Sequence, residues 1–483
     1  MSVERRAYDL VVLGGGPAGI VGATTAAALG KTVALIDSHH ELGGAGANTG
    51  TVPSKTLRET SLALSGGKSR NLYGVDLSLR REATVADFLR HERKVKLGLN
   101  ARFARQLDAN KVDVYCGLGA FDDAHTVRVQ IRNTGTDGQA SSATNHEMLV
   151  TGTYILLATG SAPVRPAIFP FGSPEVYDSD TILELDRLPK TLAVVGAGVI
   201  GSEYACTFAA LGTQVHVIDG RDVFLPFLDG EISKALASAM VRNGIIFHWN
   251  ERVQACDAGK PEGVSLTLSS GATLKVAAVL VAAGRKSNTE NLNLSVAGIA
   301  AGDRGIIQVD EHFRTKALHI YAAGDVIGFP ALASTGMQQA RIAVRHAFNV
   351  RLPSHILQVL PTGIYTIPEV GMVGETEETL RRNNVQYVVG RGPYQSNARG
   401  RIIGDCDGML KLLFRREDMK LLGVHVLGEQ ATELVHVGMM AMLAESSAEV
   451  FDEACFNIPT LGELYKLATL DAMTQASREP HPG

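Results

Sequence analysis

One pattern occurs twice in this 483-residue chain, and it narrows the fold more than any other feature. The first copy is an apolar run, Tyr8–Leu13 (YDLVVL), then the turn GGGPAG and the small-residue stretch IVGATTAAALG. A second apolar run, Thr32–Ile36 (TVALI), follows and is closed by Asp37. The second copy reads Thr191–Val195 (TLAVV), GAGVIG, SEYACTFAALG and Gln214–Ile218 (QVHVI), closed by Asp219. Short, uninterrupted apolar runs suit parallel strands buried on both faces, and small residues between them suit a helix lying close on the sheet. Each copy therefore predicts a complete βαβ unit, and the pair predicts an α/β chain with two Rossmann-like domains.

Both turns carry G-x-G-x-x-G, on Gly14, Gly16 and Gly19 and on Gly196, Gly198 and Gly201, and in each the acid stands 23 residues after the first glycine. The first glycine permits the tight turn, the second lets backbone approach a pyrophosphate, and the third lets helix and strand touch. The helix start offers unpaired N–H groups to phosphate, and the acid accepts from a ribose hydroxyl. Two copies in register point to two dinucleotide sites. At the second, Asp219 suits the 2′-hydroxyl of NAD(H), and Arg221 stands where a guanidinium meets the 2′-phosphate of NADP(H). That site is expected to admit both carriers.

Composition excludes several rival classes. The net charge of −4, from 46 basic and 50 acidic residues, provides no field for nucleic acid. The five cysteines (Cys116, Cys206, Cys256, Cys406 and Cys455) are dispersed, which suits a reducing compartment and gives no disulfide framework. His39-His40 is the one adjacent histidine pair, and no Cys/His cluster accompanies it, so no metal site is expected. The uncharged run Leu10–Gly30 follows Arg5 and Arg6 like a signal or membrane segment, but Gly14 to Gly16 and Pro17 interrupt it. No other segment approaches the ~18 apolar residues of a spanning helix. The chain is expected to be cytoplasmic, with no membrane partner.

Elsewhere, a helix is expected at about Ala83–Leu107, with strands around Val112–Phe121 and Thr126–Ile131 and a hairpin tip in the polar run Asn133–Asn145. Tyr154–Ala158 before TGS, Ala278–Val281 before AAGR, and Ile320–Ala323 before Gly324-Asp325 read as buried strands ending in turns. From about His355 the pattern becomes amphipathic strands (MLKLLF, LLGVHVLG) with one helix, Ala431–Ala444, an α+β interface segment.

From about Tyr8 to Leu470, this order of motifs resembles the pyridine nucleotide–disulfide oxidoreductase family. The matching motifs are the two fingerprints, GG…PSK at Gly43–Lys55, ATGS at Ala158–Ser161, AAGR at Ala282–Arg285, YAAGD at Tyr321–Asp325 and PTLGE at Pro459–Glu463. The resemblance implies FAD at the first fingerprint and NAD(H) or NADP(H) as substrates at the second. It implies an FAD domain over 1–165 that returns over 290–354, an NAD(P) domain over 166–289, and a C-terminal dimerisation domain over 355–475. Asp37 would hold the adenosine ribose of FAD and Asp325 its ribityl chain. Gly43, Gly44, Thr159 and Gly160 would line the cofactor, Gly46 is counted with them, and Gly284 with the nucleotide contacts. Lys55 and Glu203 would pair beside the flavin ring as the catalytic residues. A homodimer or larger homo-oligomer is implied, with Glu463 approaching the partner's flavin.

The departures bear on function. The family's two cysteines fall at Gly46 and Thr51, and its C-terminal histidine at Ile458. Neither of the first two residues forms a thiolate, so dithiol chemistry is excluded. Thr51, the segment Phe456, Asn457, Pro459 and Thr460, YTIPE at Tyr365–Glu369 and VIDGRDVFLPFLD at Val217–Asp229 are similar to the transhydrogenase subgroup of that family. This implies hydride transfer from NADPH to NAD+ in a ping-pong sequence through reduced FAD. An NAD(P)H dehydrogenase serving a quinone or dye shares every cofactor motif, and a non-catalytic nucleotide binder is a third reading.

Overall fold

A computed structural model describes residues 3–65, 85–131, 146–260, 263–350 and 359–478. The polar run 133–145 lies outside the described residues. The chain divides into two compact units, one of Met1–Thr56, Arg90–Val164 and Gly284–Pro353, the other of Leu57–Leu89, Arg165–Ala283 and Ser354–Gly483.

In the first unit, Glu4–Leu13 pairs in parallel with Val33–Asp37 on one side and His146–Leu157 on the other. Asp113–Phe121 extends the sheet beyond Val33–Asp37, and Ile320–Ala322 extends it beyond His146–Leu157, both in parallel. The far halves of Asp113–Phe121 and His146–Leu157 also flank Thr126–Ile131 in an antiparallel meander. Leu10 to Leu13 and Val33 to Ile36 are at most 2% exposed, which is why their sequence shows no alternation. The helix Pro17–Ala28 needs its small residues: a side-chain carbon on Gly22 would lie 2.4 Å from Leu156 Cδ2. The uncharged run 10–30 is thus strand, turn and helix. Among the described residues no helix is long and apolar enough to cross a membrane.

The second unit repeats the plan. Ile246–Trp249, Gln214–Asp219, Thr191–Val195, Ala278–Val281 and Val176–Asp178 form a parallel sheet in that order, with an antiparallel meander of Val253–Lys260, Gly263–Leu268 and Thr273–Val276. The same unit carries an antiparallel sheet in the order Thr362–Ile364, Val370–Gly374, Leu421–Leu427, Met409–Arg415, Tyr387–Pro393.

Two expectations for this last segment are corrected. It holds more than the one expected helix: Glu377–Arg382, Ala398–Ile403, Glu449–Glu453 and Leu464–Arg478 accompany Ala431–Leu443. Leu464–Arg478 escapes a search for apolar periodicity because its buried face includes Ala468, Thr469 and Ala472, small residues that admit the strand Tyr387–Pro393. A side-chain carbon on Gly390 would lie 2.0 Å from the Ala468 carbonyl. Nor are the two central strands amphipathic, since Lys411 and His425 are at most 1% exposed.

Candidate nucleotide sites

The two glycine turns are superimposable in their logic. Gly14 and Gly196 have φ of +107° and +109°, and a side chain on either would strike a carbonyl, Ala158 O at 2.3 Å or Ala282 O at 2.4 Å. The third glycines are equally constrained, with Gly14 O 1.8 Å from a carbon placed on Gly19 and Gly196 O 2.0 Å from one on Gly201. The fold itself therefore demands these four. The second glycines differ. A carbon on Gly16 would meet nothing closer than Gly44 Cα at 3.9 Å, and one on Gly198 nothing within 4 Å. No packing reason exists for glycine at either place. Each is the N-cap of its helix, which has no side-chain cap and no acid in its first turn. Uncapped N–H groups at the positive end of a helix, beside backbone kept bare, fit a diphosphate. Each turn thus fits the diphosphate of a dinucleotide, the class of ligand to which FAD and the nicotinamide nucleotides belong.

The acid at the end of each second strand clasps its turn. Asp37 accepts the N–H of Gly15 and, at 2.8 Å, that of His39, while Asp219 Oδ2 accepts the Ala197 N–H at 2.8 Å. Beyond this the sites diverge. Arg221 forks onto Asp219, Nε donating to Oδ1 at 2.9 Å and Nη2 to Oδ2 at 2.8 Å, and its own N–H donates to Oδ1 at 3.0 Å. Burial alone would raise the Asp219 carboxyl, but the bonds from Arg221 and Ala197 hold it below the usual carboxylate range. Sequence spacing treated the two residues as independent readers of two nucleotides; the structure brings them together as one ion pair.

In the first unit, Ser161, Arg285 and Asp325 converge near the C-terminal ends of parallel strands, where open α/β sheets bind ligands. The Ser161 hydroxyl donates to Asp325 Oδ2 at 2.8 Å and accepts from Arg285 Nε at 2.8 Å. Thr159 and Asn288 exchange two side-chain-to-carbonyl bonds of 2.9 Å, and Gly284 O accepts the Val164 N–H at 2.9 Å. A carbon on Gly160 would meet nothing within 4 Å, so this backbone too is open. Gly43 caps the short helix Gly44–Asn48, and a carbon on Gly44 would stand 2.9 Å from Gly16 Cα. Gly46, to which the sequence attaches no chemistry, gains a packing role. A carbon there would lie 2.5 Å from Pro17 Cγ, so the short helix abuts the start of Pro17–Ala28 too closely for a cysteine.

Lys55 is half-buried on the helix Thr51–Leu64, its Nζ donating to Ser54 Oγ at 3.2 Å. In the second unit Glu203 is 6% exposed, and its Oε1 accepts the Tyr365 N–H at 2.9 Å. Arg58, which sequence reasoning missed, is 4% exposed; its Nε donates to Thr366 O at 3.0 Å and its Nη2 lies 3.1 Å from Glu369. Glu203 and Arg58 together hold the YTIPE segment, a link that one-dimensional spacing does not signal. On the Glu203 helix, burial pushes the Cys206 thiol up to about 12, so no thiolate forms there near neutral pH. Ile458 is 71% exposed, and Glu463 Oε2 accepts from Asn397 Nδ2 at 2.9 Å.

Residues 8–347 match the Pyridine nucleotide-disulphide oxidoreductase family and residues 360–469 its dimerisation domain. A Mycobacterium tuberculosis protein named soluble pyridine nucleotide transhydrogenase is 46% identical over 97% of this chain and 98% of its own length. A Pseudomonas fluorescens protein of the same name is 40% identical over the same shares. Among solved structures, LpdA from M. tuberculosis is similar with a TM-score of 0.85 at 27% identity, covering 97% of this chain and 99% of its own. The HOCl-induced flavoprotein disulfide reductase RclA from Escherichia coli is similar with a TM-score of 0.84 at 27% identity, covering 96% of this chain and all (100%) of its own. Paired glycine turns on paired parallel sheets, followed by an antiparallel C-terminal sheet, are what these matches span, and the chain belongs to the pyridine nucleotide-disulphide oxidoreductase family.

Proposed function

We propose that this protein moves hydride between NADPH and NAD+, each nucleotide taking the second-unit site in turn, with no redox disulfide. The observation that carries this is two open diphosphate cradles in a chain whose disulfide positions are Gly46 and Thr51. The names of relatives at 46% and 40% identity support it. Bound FAD supplies a two-electron carrier between the two nicotinamides. Gly14, Gly16 and Gly19 hold its diphosphate and Asp37 its ribose, with Gly43, Gly44, Thr159, Gly160 and Asp325 along the remainder. Gly196, Gly198 and Gly201 serve the nicotinamide nucleotide in the same way. Lys55 is assigned the positive charge beside the flavin ring and Glu203 its orientation, on the strength of their motifs. Residues 360–469 match a dimerisation domain, which supports a homo-oligomer; we take it to be a dimer.

The test is anaerobic incubation of the yellow protein with NADPH and thio-NAD+. Catalytic appearance of reduced thio-NAD+, with parallel double-reciprocal lines, is expected. Bleached flavin without transfer would instead indicate a quinone or dye as acceptor, and flavin that stays oxidised would indicate a nucleotide binder. In the same assay Lys55→Met should slow flavin bleaching by about 10²-fold, the usual cost of removing one preorganised electrostatic partner. An unchanged rate would make Lys55 structural. Asp219→Asn should raise the KM for NADH, and Arg221→Ala, which would leave the Asp219 charge uncancelled, that for NADPH, each about ten-fold. Equal effects on both nucleotides would remove the account of dual use.

A further inference from the structure

The turn after Asp219 is flanked by a second arginine. A carbon placed on Gly220 would lie 2.6 Å from Arg252 Nε and 3.1 Å from its Cγ, so this side chain lies across bare backbone. Gly220 has no positive φ. Any residue could adopt its conformation, but a side chain there would have to push the Arg252 side chain aside. Arg252 follows the strand Ile246–Trp249, in which Trp249 stands opposite Asp219. Its backbone is pinned on both sides: Glu251 N–H donates to Asp219 O at 3.1 Å, and Arg252 exchanges bonds with Ser269, its N–H to Oγ at 3.1 Å and its carbonyl from the Ser269 N–H at 2.8 Å.

The two arginines are not equivalent. Arg221 is forked onto Asp219, whereas the Arg252 guanidinium is exposed and makes no hydrogen bond or ion pair with any described residue. The adjacent Glu251 carboxylate is engaged elsewhere, accepting the Ser269 hydroxyl at 2.6 Å and the Ser270 N–H at 3.1 Å. Asp222 on the same turn is exposed. A guanidinium held over the strand-end turn and left uncommitted is suited to a dianionic oxyanion, which it grips through two parallel N–H bonds.

We propose that Arg252 reads the 2′-phosphate of NADP(H), while Arg221 cancels the Asp219 charge that would repel that phosphate. This rests on the reading that the second-unit site admits both nucleotides. Discrimination at this site then depends on an internal ion pair with a free cation beside it. A bare Asp219 would reject the phosphate by like-charge repulsion, and Arg221 alone, neutralised by Asp219, would attract it weakly.

The experiment is isothermal titration of the FAD-loaded protein with adenosine 2′,5′-bisphosphate and with 5′-AMP, which differ only in the 2′-phosphate. The wild type should bind the bisphosphate more tightly. Arg252→Ala should weaken the bisphosphate about ten-fold or more and shift 5′-AMP by no more than about two-fold. Arg252→Lys should restore part of the loss, since it returns the charge without the fork. Gly220→Ala, which displaces the arginine without removing it, should act in the same direction as Arg252→Ala. Equal loss of both probes in Arg252→Ala, no loss of either, or a wild type indifferent to the 2′-phosphate would each overturn the proposal. Transfer from NADH to thio-NAD+ by the wild type needs no 2′-phosphate, so its absence would instead remove the transhydrogenase reading.

Discussion

Replacing Gly198 with valine is expected to leave a folded, yellow protein that NADH and NADPH no longer reduce, with the bleaching rate at fixed nucleotide down by at least about 10²-fold. Gly198 has φ −75° and ψ 179°, an extended conformation open to any residue, and a carbon added there meets nothing within 4 Å. The fold therefore puts no obstacle in the way of the first side-chain carbon. The nucleotide diphosphate does, because it must come against this backbone to reach the uncapped helix N–H groups. Gly16→Val in the first unit should likewise give soluble protein, here purified without FAD. The control is Gly201→Ala. Its new carbon would lie 2.0 Å from Gly196 O, so it should lower the melting temperature and the yield of folded protein. Flavin-to-protein absorbance ratios and stopped-flow bleaching separate the three outcomes. Wild-type bleaching in Gly198→Val would show that the open space is not the nucleotide site.

The second large effect lies in the second unit, where the wholly buried Lys411 ammonium meets Asp229 Oδ1 at 2.8 Å, Glu231 Oε2 at 2.9 Å and the Glu377 carboxylate. Asp229 caps the helix Gly230–Arg242, and Glu377 begins the helix Glu377–Arg382, so Lys411 ties both helices to the strand Met409–Arg415. Arg391 adds a second cation on Glu231, 2.9 Å from Oε1. These three carboxylates lie close enough together to share a metal ion, but the Lys411 ammonium stands among them.

Lys411→Met should destabilise the protein by about 3–5 kcal/mol, the usual cost of stranding buried charge, read as a fall in the denaturant midpoint. Burial opposes ionisation of Asp229, Glu231 and Glu377, yet Lys411 and the other partners hold all three below their ordinary values. Carboxylates depressed in the folded state stabilise it above their unfolded values, and that stability fades as pH falls through the folded ones. In Lys411→Met, burial without the ammonium favours the protonated acids. The deficit should therefore be largest near neutral pH and narrow toward pH 4. A deficit that stays constant across this range would mean that lost packing, not lost charge, is its cause.

The parts of the molecule legible in its sequence are those that depend on local rules. Both βαβ units were readable because burial on two faces removes alternation from a strand, and because a tight turn and a close helix contact admit only glycine at Gly14, Gly19, Gly196 and Gly201. The exclusion of dithiol chemistry was a matter of residue identity at Gly46 and Thr51, independent of any geometry. The helix Leu464–Arg478 was missed because alanine and threonine on a buried face produce no apolar stripe.

Spacing along the chain carries no record of contacts made across it, and the tertiary structure alone decided these. Gly46 excludes a side chain because Pro17 is there, and YTIPE is held by Glu203 and Arg58 from elsewhere in the sequence. Lys411 reads as the polar member of an amphipathic strand, and is buried because three carboxylates from two helices surround it. Asp219 and Arg221 were both named from their positions, but whether they act apart or as a pair depends on side-chain torsions that no motif specifies. Arg252 had no signal at all. It reaches Gly220 because parallel pairing sets the end of one strand beside the end of the next, and hydrogen bonding between strands, not proximity in sequence, brings those two residues together.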